Sequence, residues 1–266
     1  MTSRSNPVKE GHYARKQIYC PSRIISWSHR ARFKMGRKLV SAQAGGRLLD
    51  YGCGDGTFVF LVRDLFTSTM ATDRDSESMA DCRRRFSGIG SLSFCDIGEL
   101  KAPRYRHYFD VVSCLEVLEH CADGAVEEVL ADLERWMAPS GRIVISVPIE
   151  VGPSLILKQA VRALAGWRRL GHYQYRETYS LTELWRAGWA KDLATLERSA
   201  YGQGKEQYHG HKGFDWRILQ KKLELRFQIE EARFSPLNLL GRHLNSQVWF
   251  VCHRKPGLCD NLIPAS

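Results

Sequence analysis

Short apolar runs that end in glycine or aspartate alternate with stretches of helical period through the first 150 residues. Residues 46–52 (GRLLDYG) form such a run with a glycine-rich exit, and helically spaced apolar residues follow over 57–65, which predicts a buried strand, a tight loop and a helix. The pattern then repeats. Residues 67–72 predict a strand ending at Asp73, 76–85 a helix, 92–95 a strand ending at Asp96, and 109–115 (FDVVSCL) a fourth strand. A helix over about 125–137 and a turn at Pro139-Ser140-Gly141 lead into a fifth strand, 142–147 (RIVISV), closed by Pro148. These strands are apolar on both faces, so five of them alternating with helices predict a parallel sheet covered on both sides.

The last third changes character. Between about 152 and 223 the chain is mostly of helical pattern and rich in Trp and Arg, and it ends in two β-like runs, 227–234 and 247–253. About a dozen residues with Pro236 and Gly241 separate the two runs, which suits an antiparallel pair better than another crossover. The sketch is an α/β fold with seven strands, mostly parallel, and an antiparallel last strand. It divides into a basic N-terminal helical lid or arm (1–45), a ligand-binding core (46–150), a helical cap inserted after the fifth strand (151–223) and a terminal strand pair that completes the core sheet (224–266).

With 266 residues, 44% of them apolar and 26% charged, the chain has ample material for a core and is too apolar to stay disordered. The N-terminus MTSRSNPVKEGHYARKQ has no apolar run behind its basic residues, and no stretch approaches about 18 uncharged apolar residues. A cytoplasmic location is therefore expected. The eight cysteines include no C-x-x-C pair, which suits free thiols and argues against a structural zinc site. The net charge of +10 is uneven: residues 1–47 hold 11 Lys/Arg against one acid, 48–150 hold 10 against 18, and 151–266 hold 18 against 10. The flanks are thus expected to meet something anionic.

The chemistry concentrates at strand ends. Asp50-Tyr51-Gly52-Cys53-Gly54-Asp55-Gly56 places three glycines on alternate positions, a loop on which a ligand can lie directly against the backbone. The spacing is neither the dinucleotide G-x-G-x-x-G nor a phosphate loop, and Asp55 would repel a pyrophosphate. An acidic loop suits a ligand with an ammonium group and a positive sulfur. Asp73 stands where a carboxylate can accept both hydroxyls of a ribose, and Asp96, at the end of the third strand, where one can accept from an adenine amino group.

These stretches, LLDYGCGDGT, ATD at 71–73, FCDI at 94–97, FDVVSCLEVLEH at 109–120 and MAPSGRIVISVP at 137–148, resemble the class I S-adenosylmethionine-dependent methyltransferases. The EVLEH ending is most similar to the small-molecule set that includes the ubiquinone-biosynthesis O-methyltransferases. The resemblance covers 46–150 strongly and the terminal strand pair weakly. It implies a Rossmann-like sheet and S-adenosylmethionine as cofactor, leaving S-adenosylhomocysteine as product. It further implies that Gly52, Cys53, Gly54 and Gly56 shape the loop under the methionine half and that Asp50 orients the amino group. Asp73 would hold the ribose, Arg74 the adenine face, Asp96 and Ile97 the adenine, and Leu115 the boundary with the acceptor.

Methyl transfer to a hydroxyl also needs a base, for which histidine is the usual choice. His120, at the end of EVLEH, and His211, in the loop YHGHKGF ahead of a helical stretch, are the candidates. No metal site is assigned, although His209 and His211 alternate at the spacing of a metal pair. Glu116 and Glu119 either join His120 at an acceptor or cation or are solvated loop residues. The fourth strand lacks the Asn/Asp-Pro-Pro-Tyr/Phe element of enzymes that methylate base or glutamine nitrogens, which leaves a hydroxyl, then a carboxyl or small-molecule amine, as target. Residues 151–170 (VGPSLILKQAVRALAGWRRL) carry apolar and basic residues and no acid, so they read either as a core-facing cap helix or as a helix in a membrane surface. In the second case the acceptor is lipid-linked and the protein sits peripherally at a membrane. Two alternatives stay open: an RNA methyltransferase whose basic flanks bind phosphates, and a cofactor-binding scaffold subunit without turnover.

Overall fold

The computed structural model describes residues 6–167, 179–189, 196, 198–201 and 208–256. Seven strands form one sheet: β1 (Arg47–Tyr51), β2 (Ser68–Thr72), β3 (Leu92–Phe94), β4 (Phe109–Leu115), β5 (Met137–Pro148), β6 (Phe227–Ser235) and β7 (Gln247–Arg254). Their order is β3-β2-β1-β4-β5-β7-β6, with β1–β5 parallel and β7 antiparallel to both of its neighbours. Among the described residues the α-helices longer than four residues are α1 (Arg23–Val40), α2 (Thr57–Val62), α3 (Ser76–Arg85), α4 (Asp123–Trp136), α5 (Pro153–Trp167), α6 (Leu181–Trp189) and α7 (Trp216–Arg226).

Alternation along the strands explains why both faces are covered. Leu49, Val112, Ile143, Ile145, Val248 and Phe250 point into one core with Val126, Leu130 and Leu133 of α4 and Leu219 and Leu223 of α7. Their neighbours Leu48, Val111, Val144, Trp249 and Val251 point to the other side, against Leu39 and Val40 of α1 and Phe58 and Val62 of α2. A strand with both faces buried has no polar side to offer, which is why these runs read as continuously apolar. Helix α1 comes closest to the sheet at Gly36, where a Cβ would stand 2.8 Å from Phe58 and 3.1 Å from Trp249.

Three local expectations need correction. The turn expected at Pro139-Ser140-Gly141 lies inside β5. From Phe109↔Met137 to Val111↔Arg142 the partner strand advances five residues while β4 advances two, so the extra residues bulge out without ending the strand. The helix expected over 57–65 is α-helical only to Val62, the end of α2, and turns to 3₁₀ geometry at Arg63–Leu65. The loop expected around His209 contains a two-residue ladder, Ala200–Tyr201 against Tyr208–His209.

The uneven charge is compensated in part within the molecule. Arg32, Arg37 and Arg47 of the first flank pair with Glu116, Asp64 and Asp110, and Lys158, Lys222 and Arg226 of the last with Glu150, Glu127 and Glu134. All six acids belong to the acidic middle third. These six pairs tie both flanks to the acidic middle third and leave most of the flank cations for other partners. Among the described residues no helix is long and apolar enough to cross a membrane.

Candidate active site

The sheet order reverses between β1 and β4, and a crevice opens there at the carboxyl ends of the strands. The loop leaving β1 turns on Gly52, Gly54 and Gly56, all with positive φ (77°, 53° and 72°). They differ in what lies beside them. A Cβ on Gly52 would meet Val117 at 2.3 Å and one on Gly56 would meet Phe86 at 2.7 Å, so those two are needed for packing, whereas Gly54 faces open space. Gly54 is where a ligand can touch the backbone.

Asp73, at the end of β2, accepts from Gly54 N at 2.8 Å and from Asp75 N at 2.9 Å, tying the strand end to the glycine loop. Asp50 is buried and accepts from Ser113 Oγ at 2.7 Å, and loss of hydration pushes its carboxyl up to about 7. Cys53 is buried against Met79 and Cys82, its thiol raised by the Cys82 contact and by burial. Asp96 is exposed and ion-paired to Arg83 at 2.7 Å. Arg74 beside Asp73 is exposed and Ile97 half-buried.

The loop after β4 carries the second group. Glu116 takes a positive φ of 57°, unusual for a side chain of its size, and its carboxylate accepts from Ser146 Oγ at 3.0 Å and pairs with Arg32 at 3.2 Å. Glu119 is fully buried, so the solvated-loop reading of this residue does not hold. Burial, with Glu116 adding to it, raises its carboxyl well above the usual range. His120 Nδ1 donates to His209 O at 2.8 Å, and His120 Nε2 faces His211 Nε2 at 3.3 Å. Histidines 89 and 91 residues along thus converge on His120, one through its carbonyl and one through its ring. The alternation of His209 and His211, to which no metal site is assigned, presents one carbonyl and one ring to His120.

Residues ahead of the sheet cover the crevice. Asp55 Oδ2 accepts from Ala14 N at 3.0 Å, and Gly11 lies so close that a Cβ there would stand 2.3 Å from the same oxygen. The Tyr13 hydroxyl accepts from Arg32 and donates to His29 Nδ1 at 2.5 Å. Burial pushes the Tyr13 phenol up to about 12, and burial beside Arg32 and Lys158 takes His29 down to about 3, so this histidine is a neutral acceptor.

The cavity has a volume of about 720 Å³. It brings together Asp50, Gly52, Cys53, Gly54, Leu115, His120 and His211 from the sequence expectations. Gly56 lies beneath the loop, and Asp73, Arg74, Asp96 and Ile97 stand outside the cavity wall, along the same sheet edge. Tyr13, His29, Arg32 and Lys158 line it without having been singled out, because their signal is only their fold-dependent proximity. The mouth is apolar: Trp27, Leu157, Leu237 and Leu244 line it and are about half exposed.

Residues 26–194 match the family model described as a methyltransferase domain, well over half the chain. The chain belongs to the class I S-adenosylmethionine-dependent methyltransferases. The cofactor of this methyltransferase is S-adenosylmethionine, and its loop, strand-end acids and switch-point crevice agree with that chemistry. A ubiquinone biosynthesis O-methyltransferase of Aeromonas salmonicida is 28% identical over 203 residues, 71% of this chain and 77% of the relative. Among solved structures, a protein of Pyrococcus horikoshii superposes with a TM-score of 0.59 at 14% identity, covering 93% of this chain and 98% of the other. The N-methyltransferase NodS of Bradyrhizobium japonicum, crystallised with S-adenosyl-L-homocysteine, superposes at 0.51 and 13% identity over 85% and 87%. At such identities the likeness is one of fold.

Proposed function

We propose that the methyltransferase moves a methyl group to a hydroxyl of a small metabolite with a lipophilic portion. The observation that carries the acceptor reading is the continuity of one cavity from Gly54 to an apolar mouth formed by Trp27, Leu157, Leu237 and Leu244. A wholly polar acceptor would leave those side chains wet in the complex, whereas a lipid-linked or isoprenoid-bearing one would cover them. The Aeromonas relative, named for O-methylation in ubiquinone biosynthesis, supports the same class.

S-adenosylmethionine supplies an already activated methyl group on a positive sulfur, so the protein's task is alignment and exclusion of water. In this reading the methionine moiety lies on Gly52–Gly54, with its ammonium toward Asp50. Asp73 accepts from the ribose, Asp96, Ile97 and Arg74 surround the adenine, and Leu115 separates cofactor from acceptor. His120 and His211 stand where an acceptor hydroxyl would lose its proton. Residues 6–40 form the lid, fastened through Asp55 and through the Arg32–Glu116 pair.

Helix α5 supports a membrane-facing mouth only in part. Leu155 is buried and Lys158 pairs inward with Glu150, while Ile156 and Leu157 are exposed. Side chains 161, 162 and 164–167 and residues 168–170 lie outside the description. Calorimetry of the purified protein with S-adenosylmethionine, with and without vesicles carrying an isoprenoid phenol, tests the reading. Micromolar cofactor binding and methylation of the vesicle-borne phenol are expected, and turnover only on polar acceptors would refute the lipophilic class.

A further inference from the structure

One chain of donors fixes the proton positions in the segment that covers the crevice. Arg32 carries donors only and gives one to the Tyr13 hydroxyl. The Tyr13 oxygen thereby accepts, and its own hydrogen goes to His29 Nδ1 at 2.5 Å. A neutral imidazole that accepts at Nδ1 carries its hydrogen on Nε2. Among the described residues no hydrogen-bond partner meets that N–H. We propose that His29 Nε2–H holds an uncharged oxygen of the methyl acceptor, and that Tyr13 and Arg32 are the positioning residues that keep the ring in this form. The assignment to an acceptor rests on the methyl-transfer reading.

The course of α1 puts the ring on the acceptor side of the cavity. Toward the sheet, Gly36 lies on Phe58 and Trp249, and Phe33 stacks on Phe58 with the ring centroids 6.1 Å apart. Toward the other end, Ile25 and Trp27 line the cavity. His29 and Arg32 come between them on the helix and line it too, as does Tyr13. Lys158 of α5, another wall residue, is near enough to His29 for its charge to act on the ring. The start of the donor chain is anchored to the sheet, because Glu116 pairs with Arg32 at 3.2 Å and accepts from Ser146 Oγ at 3.0 Å and from Gln247 Nε2 at 3.3 Å.

Charge and proton count suit a donor and exclude a base. Burial, with Arg32 and Lys158 adding to it, keeps His29 neutral, and burial keeps the Tyr13 phenol protonated. The one lone pair of the ring is occupied by Tyr13, so His29 takes no proton from a hydroxyl. A neutral donor also adds no positive charge beside a sulfonium, which a lysine or arginine in the same place would. The selectivity follows from the same chemistry. An oxygen with a free lone pair gains a hydrogen bond at His29, whereas an alkylammonium, which offers only donors, gains none.

The test uses the full chain with isotope-labelled histidine, read by nitrogen NMR, the His29 signals being identified by their loss in His29→Gln. In the resting protein at neutral pH, Nε2 is expected to carry the hydrogen and Nδ1 to be bare, and Tyr13→Phe should mix the two tautomers. S-adenosylhomocysteine should leave the Nε2 signal little moved, and an isoprenoid phenol then added in detergent micelles should move it. A hydrogen on Nδ1, a larger movement with S-adenosylhomocysteine than with the phenol, or no movement with the phenol would each overturn the proposal; the second result would give the N–H to the cofactor carboxylate. In turnover on the vesicle-borne phenol, His29→Leu should raise the acceptor KM about three- to tenfold while kcat and S-adenosylhomocysteine affinity are kept. His29→Gln, whose amide can accept from Tyr13 and still donate, should restore the KM, and equal KM values in His29→Leu and wild type would also overturn the proposal. Absence of S-adenosylmethionine affinity in calorimetry would sink the methyl-transfer reading, whereas the tautomer of the resting protein is measured independently of it.

Discussion

Asp50 and Asp73 are both strand-end acids in the sequence, yet their surroundings give them different properties. Asp50 is buried with one hydroxyl donor and its carboxyl is pushed up to about 7 by lost hydration, whereas Asp73 is fixed by the amide of Gly54 in the loop it supports and by that of Asp75 two residues on. An acid with a raised pKa is mostly protonated below that value, and only its charged form attracts an ammonium. Cofactor affinity should therefore rise with pH, by up to about tenfold per unit below 7, and level off above it. Calorimetry in buffers of different ionisation enthalpy should detect the proton released below pH 7, and Asp50→Asn should abolish the linkage. Asp73→Ala is expected to cost at least about tenfold in cofactor affinity, roughly 1.4 kcal/mol, with cooperative unfolding retained. Affinity equal to wild type would remove Asp73 from the ribose role. Both acids were legible because each follows an apolar run directly, but the raised carboxyl of Asp50 was not, since it depends on burial supplied by other strands.

At the scale of elements, the segment ahead of the sheet buries Val8, Ala14, Ile18, Leu39 and Val40 in the core and is pinned at a few close contacts. Gly36 lets α1 lie on Phe58 and Trp249, and Gly36→Val should force the helix outward, at about 1–3 kcal/mol of stability, read as a lower urea midpoint. Asp55 fastens the first turns through Ala14 N. Asp55→Ala should accordingly speed protease cleavage before residue 20 and weaken cofactor binding while leaving the thermal midpoint within a few degrees. Unchanged cleavage would mean that the arm is held by its other contacts. The strands and α3 were readable because their apolar period is local. The bulge in β5 was not, because Pro139-Ser140-Gly141 has turn composition and only the pairing with β4 shows that the strand continues through it.

For the whole molecule, part of the charge series along the chain is internal pairing between the basic flanks and the acidic middle third. Most of these pairs are partly exposed and individually weak. The apolar mouth leads to a different expectation. Leu239 and Leu240, in the loop between β6 and β7 beside the mouth, are exposed, Leu239 by 98%. Replacing both with serine should reduce sedimentation with anionic vesicles several-fold and leave cofactor affinity untouched. Vesicle binding that is equal in the two proteins, or absent in both, would point to an acceptor taken from solution.

The local pattern by itself determined the seven strands, the glycine loop and the acids at the ends of β1, β2 and β3, because these depend on residues within a few positions of one another. The tertiary structure alone decided which side chains share the cavity. His120 and His211 come from a loop after β4 and a segment 91 residues later, Arg32 of α1 meets Glu116 in the loop after β4, and Lys158 turns inward to Glu150 instead of outward to a surface. Nothing in the spacing of these residues encodes their meeting. It follows from the crossover at the switch point, which brings the loop after β1 beside the loop after β4, and from burial, which requires each enclosed charge to find a partner.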